Sequence, residues 1–417
     1  MNRLAYCLVI LPHHSYTFRR ESSMTRPHWK LAVDRIYPNE AAFLAAAVKP
    51  LRVYFGIDPT GTDIHIGHGS TLRVLRTLQE EGHTVVFLFG DFTARVGDPT
   101  GRNKERVPLS REEVRLNMAT YLKQIATILD IDRIEVRENS EWYESPDRSA
   151  LLSQFLELGK HFTAAQLWER DMFQERQKAG QPVTLTEFIY PMLQANDSIE
   201  LDVDMEVGGT DQTFNMLAGR DLFRKLRQKE KYVLTTKLLT GTDGRKMSKS
   251  FENAIWITDS PEQMFGKLMS IADALLPEYC ALAAGIDPEE SAMQALITSD
   301  PRAAKAKMAY EVVTFYHGAE AAEVASRSFD TQFRDGGQPA VIPEGWPSVE
   351  TQERLTFFLV DLGLVSSKAE AARLVSQGAV RVDDVVVQDQ FAVITPVAGM
   401  LVQVGKRHFL RLVKPQP

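Results

Sequence analysis

The segments Leu-Arg-Val-Tyr-Phe at residues 51–55 and His-Ile-Gly-His at residues 65–68 decide the fold of this chain. The first is an apolar run that predicts a buried strand. Residues 72–78 place three leucines one turn apart and predict a helix that ends near Gly82. The histidines therefore stand at a helix N-terminus, where unpaired N–H groups and the positive end of the helix dipole attract anions. This order of strand, turn and helix predicts a site where the imidazole groups and the backbone N–H groups of the helix start together bind a polyphosphate.

A second segment, Lys-Met-Ser-Lys-Ser at residues 246–250, follows about 180 residues later, just after the glycine-rich residues 241–244. Its two ammonium groups, those of Lys246 and Lys249, can close over a triphosphate and stabilise charge as pyrophosphate leaves. Each segment alone has an ordinary interpretation, because histidines and lysine-rich turns are often simply solvated. Both segments in this order, at a separation that suits a nucleotide-binding α/β domain, predict ATP-dependent activation of a carboxylate.

Length, charge and cysteine content narrow the class of protein. At 417 residues, 44% of them hydrophobic, the chain is long enough for two or three domains. The net charge is −7, of which residues 352–417 contribute +2 and the remainder −9, which argues against indiscriminate binding of nucleic acid but allows phosphate contacts at one basic surface. The two cysteines, Cys7 and Cys280, exclude a disulfide framework or a cysteine zinc site and suit a reducing cytosol. No apolar run is long enough to span a membrane, so we expect a cytoplasmic protein without a membrane partner.

The pattern of elements changes along the chain. Strands alternate with helices from residue 51 to about 250, which favours parallel βαβ units. After residue 256 long helices follow, and Ser260-Pro261 and Asp300-Pro301 each place a cap before a helix-starting proline. The predicted fold class is α/β, with a Rossmann-like parallel-sheet catalytic domain, an α-helical domain and a small α/β domain. The predicted segments are an N-terminal extension at 1–30 with a start at Met1 or Met24, the catalytic domain at 31–256, the helical domain at 257–334, a linker at 335–350 and the small domain at 351–417.

A polar set is predicted to share one helix face. Tyr190, Gln194 and Asp197 lie at positions i, i+4 and i+7, and the capping signature Thr-Leu-Thr-Glu at residues 184–187 starts their helix. Pro191 lies inside this helix and should kink it. An amphipathic helix with its polar face in water is the alternative interpretation.

Three further motifs carry a resemblance to a known family: Tyr-Phe-Gly-Ile-Asp-Pro-Thr at 54–60, Gly-Asp-Pro-Thr-Gly at 97–101 and Gly-Gly-Thr-Asp-Gln at 208–212. With the histidine and lysine segments, they make the chain resemble the class I aminoacyl-tRNA synthetases, and within that class the bacterial-type tyrosyl-tRNA synthetases, from about residue 30 onward. The resemblance implies that L-tyrosine reacts with ATP to give tyrosyl-adenylate and pyrophosphate. The tyrosyl group then passes to the 3′ end of tRNA(Tyr).

The resemblance also implies which residues bind tyrosine. Tyr54 and Asp197 would hydrogen-bond the phenolic hydroxyl, which selects tyrosine over phenylalanine because buried polar groups without their partner are costly. The other implied tyrosine contacts are Asp98, Tyr190 and Gln194 for the α-ammonium group and Gln212 near the carboxylate.

The implied nucleotide contacts form a larger set. The polyphosphate would be bound by Thr60, His65, Lys246 and Lys249, with His68 nearer the ribose, Asp211 on the ribose, and Arg102 and Arg106 reaching pyrophosphate. The remaining implied ATP-site residues are Gly56, Asp58, Gly67 and Gly209, whose glycines let backbone approach the adenylate. Phe55 departs from the family, which often has a small polar residue there. ATP would bring Mg²⁺ with it, and no protein metal site or other cofactor is expected.

The C-terminal segment resembles an RNA-binding module shared with a small-subunit ribosomal protein. Its candidate phosphate contacts are Lys368, Arg373, Arg381, Lys406 and Arg407, which would position RNA without reading its sequence. The resemblance further implies that the helical domain recognises the anticodon and that the protein is a homodimer.

Two other functions remain open at this point. A tryptophanyl-tRNA synthetase shares the fold and signatures, although Tyr54 with Asp197 suits a phenol better than an indole, which lacks an acceptor. A paralogue kept for RNA binding alone is the second alternative, and the intact histidine and lysine signatures speak against it.

Overall fold

A computed structural model describes residues 28–98, 109–248, 251–333, 342–348, 351–405 and 408–414 of the chain. Several residues named above lie outside this description, and nothing further is said of their structure. They are Arg102, Arg106, Lys249, Lys406, Arg407 and residues 1–27 of the expected N-terminal extension.

Six strands form the main sheet of the described residues. They are β1 (Val33–Tyr37), β2 (Arg52–Ile57), β3 (Thr84–Phe89), β4 (Ile134–Glu138), β5 (Met205–Gly209) and β6 (Tyr232–Thr236), in the spatial order β1-β6-β5-β2-β3-β4. Neighbouring strands from β2 to β6 pair in parallel, which confirms the predicted parallel sheet. The strand order reverses between β2 and β5, and ligands of open α/β sheets bind at such a switch point.

The helices of the described residues follow in chain order. Those up to the last main strand are α1 (His28–Ala32), α2 (Glu40–Ala46), α3 (Ile66–Glu80), α4 (Thr93–Val96), α5 (Arg111–Ile125), α6 (Ser140–Tyr143), α7 (Arg148–Gly159), α8 (Ala164–Trp168), α9 (Asp171–Lys178), α10 (Leu185–Leu201) and α11 (Thr213–Arg227). The later ones are α12 (Pro261–Met269), α13 (Leu276–Tyr279), α14 (Ser291–Ser299), α15 (Pro301–His317), α16 (Ala319–Phe333), α17 (Leu355–Asp361) and α18 (Lys368–Ser376). Residues 280–284 extend α13 as a π-helical turn.

Local sequence signals explain where the site-bearing helices begin. His65 is the extended N-cap residue of α3, so the helix starts one residue after it, at the predicted place. A capping box of Thr184 and Glu187 starts α10, and Pro191 lies inside that helix as expected. Because α10 is continuous from Leu185 to Leu201, its polar set shares one face.

The helices after residue 256 pack directly on the nucleotide-binding fold. Ser260 and Asp300 accept hydrogen bonds from backbone N–H groups of α12 and α15, which confirms both predicted caps. Leucines of α3 and buried residues of α15, such as Met308 and Val312, belong to one hydrophobic cluster. Helices α3 and α15 approach each other closely at Gly69 of α3, where an added Cβ would lie 2.0 Å from Tyr316 Oη of α15.

The C-terminal residues form a small α/β unit around a hydrophobic core of their own. Its strands are β7 (Glu344–Gly345), β8 (Glu353–Arg354), β9 (Val380–Val382), β10 (Val385–Val387), β11 (Val393–Ile394), β12 (Leu401–Val404) and β13 (His408–Leu412). Five of them form a sheet in the order β10-β9-β12-β13-β7. Helices α17 and α18 supply Phe358, Leu359 and Val375 to the core of this unit.

The start of the described chain belongs to the folded core. Strand β1 pairs antiparallel with β6, an edge strand that the sequence analysis did not anticipate. Trp29 is 8% exposed and packs edge-on against Phe43 at a ring separation of 6.4 Å. The packed core therefore includes Trp29, which lies within the N-terminal extension expected at residues 1–30. No helix in the described part of the chain is long and apolar enough to cross a membrane.

Candidate active site

A cavity of about 330 Å³ lies at the carboxyl ends of β2 and β5, the switch point of the sheet. Every residue predicted to bind tyrosine or ATP that the structure describes lines this cavity. They are Tyr54, Gly56, Asp58, Thr60, His65, Gly67, His68, Asp98, Tyr190, Gln194, Asp197, Gly209, Asp211, Gln212 and Lys246. The sheet and the helices α3 and α10 therefore bring together residues that are up to 192 positions apart in the chain.

One end of the cavity presents a buried carboxyl group. Asp197 is 4% exposed, and its Oδ1 accepts a hydrogen bond from Trp142 Nε1 at 2.9 Å while Oδ2 accepts one from Asn139 Nδ2 at 3.4 Å. Burial raises the pKa of Asp197 well above its ordinary value, and the nearby Glu206 adds to the effect. A polar ligand group that enters here meets a carboxyl group already fixed by two neutral donors.

Tyr54 stands at the same end, with a partner that the sequence analysis missed. Tyr54 of β2 and Glu206 of β5 are register neighbours, and Tyr54 Oη donates to Glu206 Oε1 at 2.5 Å. Both residues are at most 2% exposed, and the other carboxylate oxygen of Glu206 pairs with the ammonium group of Lys231. A glutamate inside an apolar strand, two residues before Gly208, is the signal that could have identified it.

The middle of the cavity collects hydrogen-bond acceptors. Tyr190 Oη donates to Asp58 Oδ2 at 3.0 Å, so the phenol oxygen keeps its lone pairs for a further partner. Gln194 Nε2 donates to Glu206 at 3.1 Å, and this fixes the orientation of the Gln194 amide. A carboxylate is added by Asp98, which accepts from Gln212 Nε2 at 2.8 Å.

Two stacked imidazoles occupy the start of α3. The rings of His65 and His68 lie 3.9 Å apart between centroids, at an interplanar angle of 27°. Burial lowers the pKa of His68 to about 4, and burial together with the neighbouring His68 and Lys246 lowers the pKa of His65 well below its ordinary value. Within the described residues, neither buried Nδ1 atom has a hydrogen-bond partner. The pair is therefore uncharged at neutral pH and free to gain partners from a ligand.

The lysine-rich segment reaches the cavity through Lys246. Its ammonium group lies 3.0 Å from Asp211 Oδ2, in an ion pair whose side chains are 55% and 28% exposed. Such exposed pairs contribute little energy, so a polyphosphate can take over the lysine at low cost. Asn253, 2% exposed, holds the segment: its Nδ2 donates to the Lys246 carbonyl at 3.1 Å and its Oδ1 accepts from Ser248 N at 2.9 Å.

Close packing explains two of the predicted glycines. A Cβ at Gly67 would lie 2.9 Å from His65 Nδ1, and a Cβ at Gly209 would lie 2.7 Å from Asp211 Oδ1. Either side chain would push aside a group that faces the cavity. Phe55, the departure from the family pattern, lines the cavity and packs against Phe87 at a ring separation of 5.6 Å.

The predicted RNA contacts that the structure describes lie on the C-terminal unit. Lys368, Arg373 and Arg381 are all exposed there. Lys368 Nζ lies 3.5 Å from the centroid of the Phe357 ring, and Arg373 Nη1 donates to Gln377 at 3.1 Å. These cations belong to a separate surface, because none of them lines the cavity.

Comparison with protein families agrees with this geometry. The family described as tRNA synthetases class I (W and Y) matches residues 47–334, and an S4 domain matches residues 353–390. Because the first match spans more than half of the chain, the protein belongs to the class I tRNA synthetases of the tryptophan and tyrosine group.

Individual relatives narrow the group further. The tyrosine–tRNA ligase of Bordetella bronchiseptica is 43% identical over 388 residues, which cover 92% of this chain and 93% of the relative. The tyrosine–tRNA ligase of Thermotoga maritima is 44% identical over 370 residues, which cover 87% of this chain and 90% of the relative. Within its class, the chain belongs to the tyrosine–tRNA ligases.

Solved structures share the fold. A C-terminally truncated mitochondrial tyrosyl-tRNA synthetase of Aspergillus nidulans matches with a TM-score of 0.60 and 25% identity, over 74% of this chain and 95% of that chain. The tyrosyl-tRNA synthetase of Archaeoglobus fulgidus, solved with L-tyrosine, matches with a TM-score of 0.54 and 24% identity, over 72% of this chain and 98% of that chain.

Proposed function

We propose that this chain joins L-tyrosine to tRNA(Tyr) in two steps in the cavity between β2 and β5, with the roles for its residues set out below. The observation that carries the proposal is the set of groups that line one cavity. They are a buried phenol and carboxyl group at Tyr54 and Asp197, acceptors at Tyr190, Gln194 and Asp98, and two imidazoles with an ammonium group at His65, His68 and Lys246. These three sets match the hydroxyl group of tyrosine, its α-ammonium group and the phosphates of ATP.

The hydroxyl end accounts for the choice of amino acid. Tyr54 and Asp197 exchange hydrogen bonds with the phenolic hydroxyl. Phenylalanine would leave both groups buried without a partner, because Tyr54 is 1% and Asp197 4% exposed. Buried polar groups that lose a partner cost far more than a lost methylene contact, so this end rejects phenylalanine.

The acceptors in the middle suit an α-ammonium group, which brings three donors. Tyr190 donates its hydroxyl hydrogen bond to Asp58, and Gln194 donates from its amide nitrogen to Glu206. Tyr190 therefore offers its oxygen lone pairs, and Asp98 supplies the charge. Gln194 Oε1 already accepts a hydrogen bond from Asn215 Nδ2 at 2.9 Å and offers its second lone pair. Gln212, hydrogen-bonded to Asp98, lies beside the substrate carboxylate.

The chemical step needs positioning and charge stabilisation more than it needs a general base. A carboxylate oxygen of tyrosine attacks the α-phosphorus of ATP, the bond to the β-phosphate oxygen breaks, and pyrophosphate leaves. Thr60, His65 and Lys246 contact the polyphosphate, while Lys246 exchanges Asp211 for phosphate oxygens. Lys249, Arg102 and Arg106 complete the cationic set in this proposal. Asp211, released from the lysine, then holds the ribose next to His68.

The second step transfers the tyrosyl group to tRNA. A hydroxyl of the terminal ribose attacks the carbonyl carbon of the adenylate, and AMP leaves. The helices after residue 256 would recognise the anticodon. The exposed cations Lys368, Arg373 and Arg381 would hold the RNA backbone, together with Lys406 and Arg407.

Three further features complete the proposal. Mg²⁺ enters on ATP, because this ion is commonly bound through substrate phosphates. The enzyme acts in the cytoplasm, which suits the free thiol of the buried Cys280. It is a homodimer, for which Leu152 and Leu156 of α7, each 59% exposed and one turn apart, provide an apolar contact face.

Replacement of Asp197 by alanine tests the assignment of the cavity. We expect Asp197→Ala to reduce kcat/KM for tyrosine by at least about 100-fold, because a buried hydrogen-bonded group is lost, and to leave the Kd for ATP within about twofold. Steady-state pyrophosphate exchange and calorimetric ATP binding measure the two effects. Glu200→Ala, at an exposed position of the same helix, is the matched control and should change neither value. An equal loss of tyrosine use and ATP binding would contradict the assignment.

A further inference from the structure

A fully buried ion pair lies directly behind Tyr54. Lys231, directly before β6, is 0% exposed, and its ammonium group contacts both the Glu206 carboxylate and Ser198 Oγ. Space for this ammonium group depends on Gly219 of α11, where a Cβ would lie 2.8 Å from Lys231 Nζ. Glu206 lines the cavity beside Tyr54, whereas Lys231 does not line it, and the two-step reaction proposed above gives the pair no role of its own.

The geometry fixes which way the hydrogen bonds run. Glu206 Oε1 receives Tyr54 Oη at 2.5 Å and Gln194 Nε2 at 3.1 Å, while Oε2 receives Lys231. A carboxylate paired with an ammonium group only accepts, so the single proton of Tyr54 is committed to Glu206. Burial, with the negative charges of Glu206 and Asp197 nearby, raises the pKa of Tyr54 well above its ordinary value, which keeps that proton in place.

We propose that the Glu206–Lys231 pair holds the hydroxyl proton of Tyr54, so that Tyr54 Oη can only accept a hydrogen bond from the substrate. Tyr54 therefore selects amino acids whose side chain donates a hydrogen bond at this position. This inference rests on the proposed function and deepens it. A phenol that donates to Tyr54 keeps an oxygen lone pair for Asp197, whose raised pKa allows a protonated carboxyl group to donate in return. Glu206 and Lys231 are positioning residues, because they act through Tyr54.

The first test uses the unmodified protein and the analogue para-aminophenylalanine. Its amine is close in size to a hydroxyl group and carries two protons, one for Tyr54 Oη and one for a carboxyl oxygen of Asp197, each of which can accept a hydrogen bond. In pyrophosphate exchange, we expect kcat/KM for this analogue to exceed that for phenylalanine at least about tenfold. Equal use of the two analogues would overturn the inference. Tyrosine itself is measured alongside, and a failure to use tyrosine would instead reject the proposed function.

The second test removes the pair. Glu206→Met combined with Lys231→Met replaces two charges by apolar side chains of similar length, an exchange that buried ion pairs often tolerate. Tyr54 can then donate to a substrate oxygen, which suits tyrosine and opposes the amine. We expect the ratio of kcat/KM for para-aminophenylalanine to that for tyrosine to fall at least about tenfold. A parallel fall of both values at a constant ratio would show a merely structural role and overturn the inference.

A matched control removes another buried ion pair, which joins helices α9 and α10. Arg176 and Glu187 have side chains that are 6% and 7% exposed, and neither lines the cavity. Arg176→Met combined with Glu187→Met should leave the ratio of the two kcat/KM values unchanged. If it shifts the ratio as much as the other double variant does, the effect is not specific to Tyr54 and the inference fails. If either double variant does not fold, the comparison of para-aminophenylalanine with phenylalanine on the unmodified protein decides whether the inference holds.

Discussion

At the scale of single residues, the paired imidazoles at the start of α3 show how burial keeps basic side chains uncharged by lowering their pKa values. Two protonated rings would repel each other, whereas neutral rings stack with 3.9 Å between their centroids. Burial of these rings lowers the stability of the folded chain at acidic pH. Because the pKa of His68 is about 4 in the folded chain and about 6.5 in an unfolded one, the unfolded chain binds a proton first as the pH falls.

This difference predicts a pH-dependent stability. The free energy of unfolding should fall as the pH drops from about 6.5 towards 4, and the His68 contribution vanishes above that window because both states are neutral there. We expect His68→Asn to reduce the loss of stability between pH 7 and pH 5 by about 1 to 2 kcal/mol. Urea unfolding at the two pH values measures it, and an unchanged difference would contradict the buried neutral ring.

Residues also mark how far the sequence could predict the site. His65 and Lys246 belong to short motifs that indicated them directly. Asp197 shares a helix face with Tyr190 and Gln194, and the resemblance to the tyrosyl-tRNA synthetases was needed to assign it to the site. Glu206 and Lys231 were missed because their role depends on strand pairing that brings Glu206 beside Tyr54 and on a helix glycine that makes room for the ammonium group. Contacts of this kind arise only in three dimensions.

At the scale of elements, α3 connects the nucleotide site to the helices that follow. Its N-cap and first turn carry the two histidines, and its residues Gly69 and Arg73 contact Tyr316 and Phe315 of α15. Caps at Ser260 and Asp300 were predictable because each depends on neighbours within three residues. Strand β1 was not predictable, because its Val-Asp-Arg-Ile-Tyr sequence is partly exposed at a sheet edge and follows no clear alternation.

The contact between α3 and α15 yields a stability prediction. We expect Gly69→Ala to lower the free energy of unfolding by about 1 to 3 kcal/mol, because the new methyl group would overlap Tyr316 Oη. Tyr316→Phe in the same chain removes that oxygen and should restore most of the loss, whereas Tyr316→Phe alone is the control. Denaturant unfolding of the three variants checks this. A Gly69→Ala protein as stable as the parent would refute the close packing.

At the scale of the whole molecule, the hydrophobic cluster of the C-terminal unit is separate from the three clusters of the preceding described residues. The largest of those three joins the main sheet to α3, α5 and the helices α12 to α16, while α17, α18 and the small sheet share the C-terminal cluster. The sequence predicted these architectures from their alternation of elements. It could not predict that the helical segment would share its core with the nucleotide-binding fold, because periodicity shows which face is buried but not its partner.

Because the C-terminal unit has its own core, we expect that its removal separates tyrosine activation from tRNA charging. A chain that ends at Phe333 should keep tyrosine-dependent pyrophosphate exchange within about twofold, because all described cavity residues precede that point. Its rate of tRNA charging should fall at least about tenfold, since the exposed cations of the C-terminal unit are gone. Exchange and aminoacylation assays on the same preparation compare the two steps. A parallel loss of both would show that the C-terminal unit supports the cavity.

The central claim is that the cavity activates tyrosine, and amino-acid-dependent exchange of labelled pyrophosphate into ATP tests it most directly. With ATP and Mg²⁺ present, we predict exchange with L-tyrosine at a kcat/KM at least about 1,000-fold above that with tryptophan or phenylalanine, because only tyrosine satisfies Tyr54 and Asp197 together. Exchange that is equal with tryptophan, or absent with all three amino acids, would contradict the account.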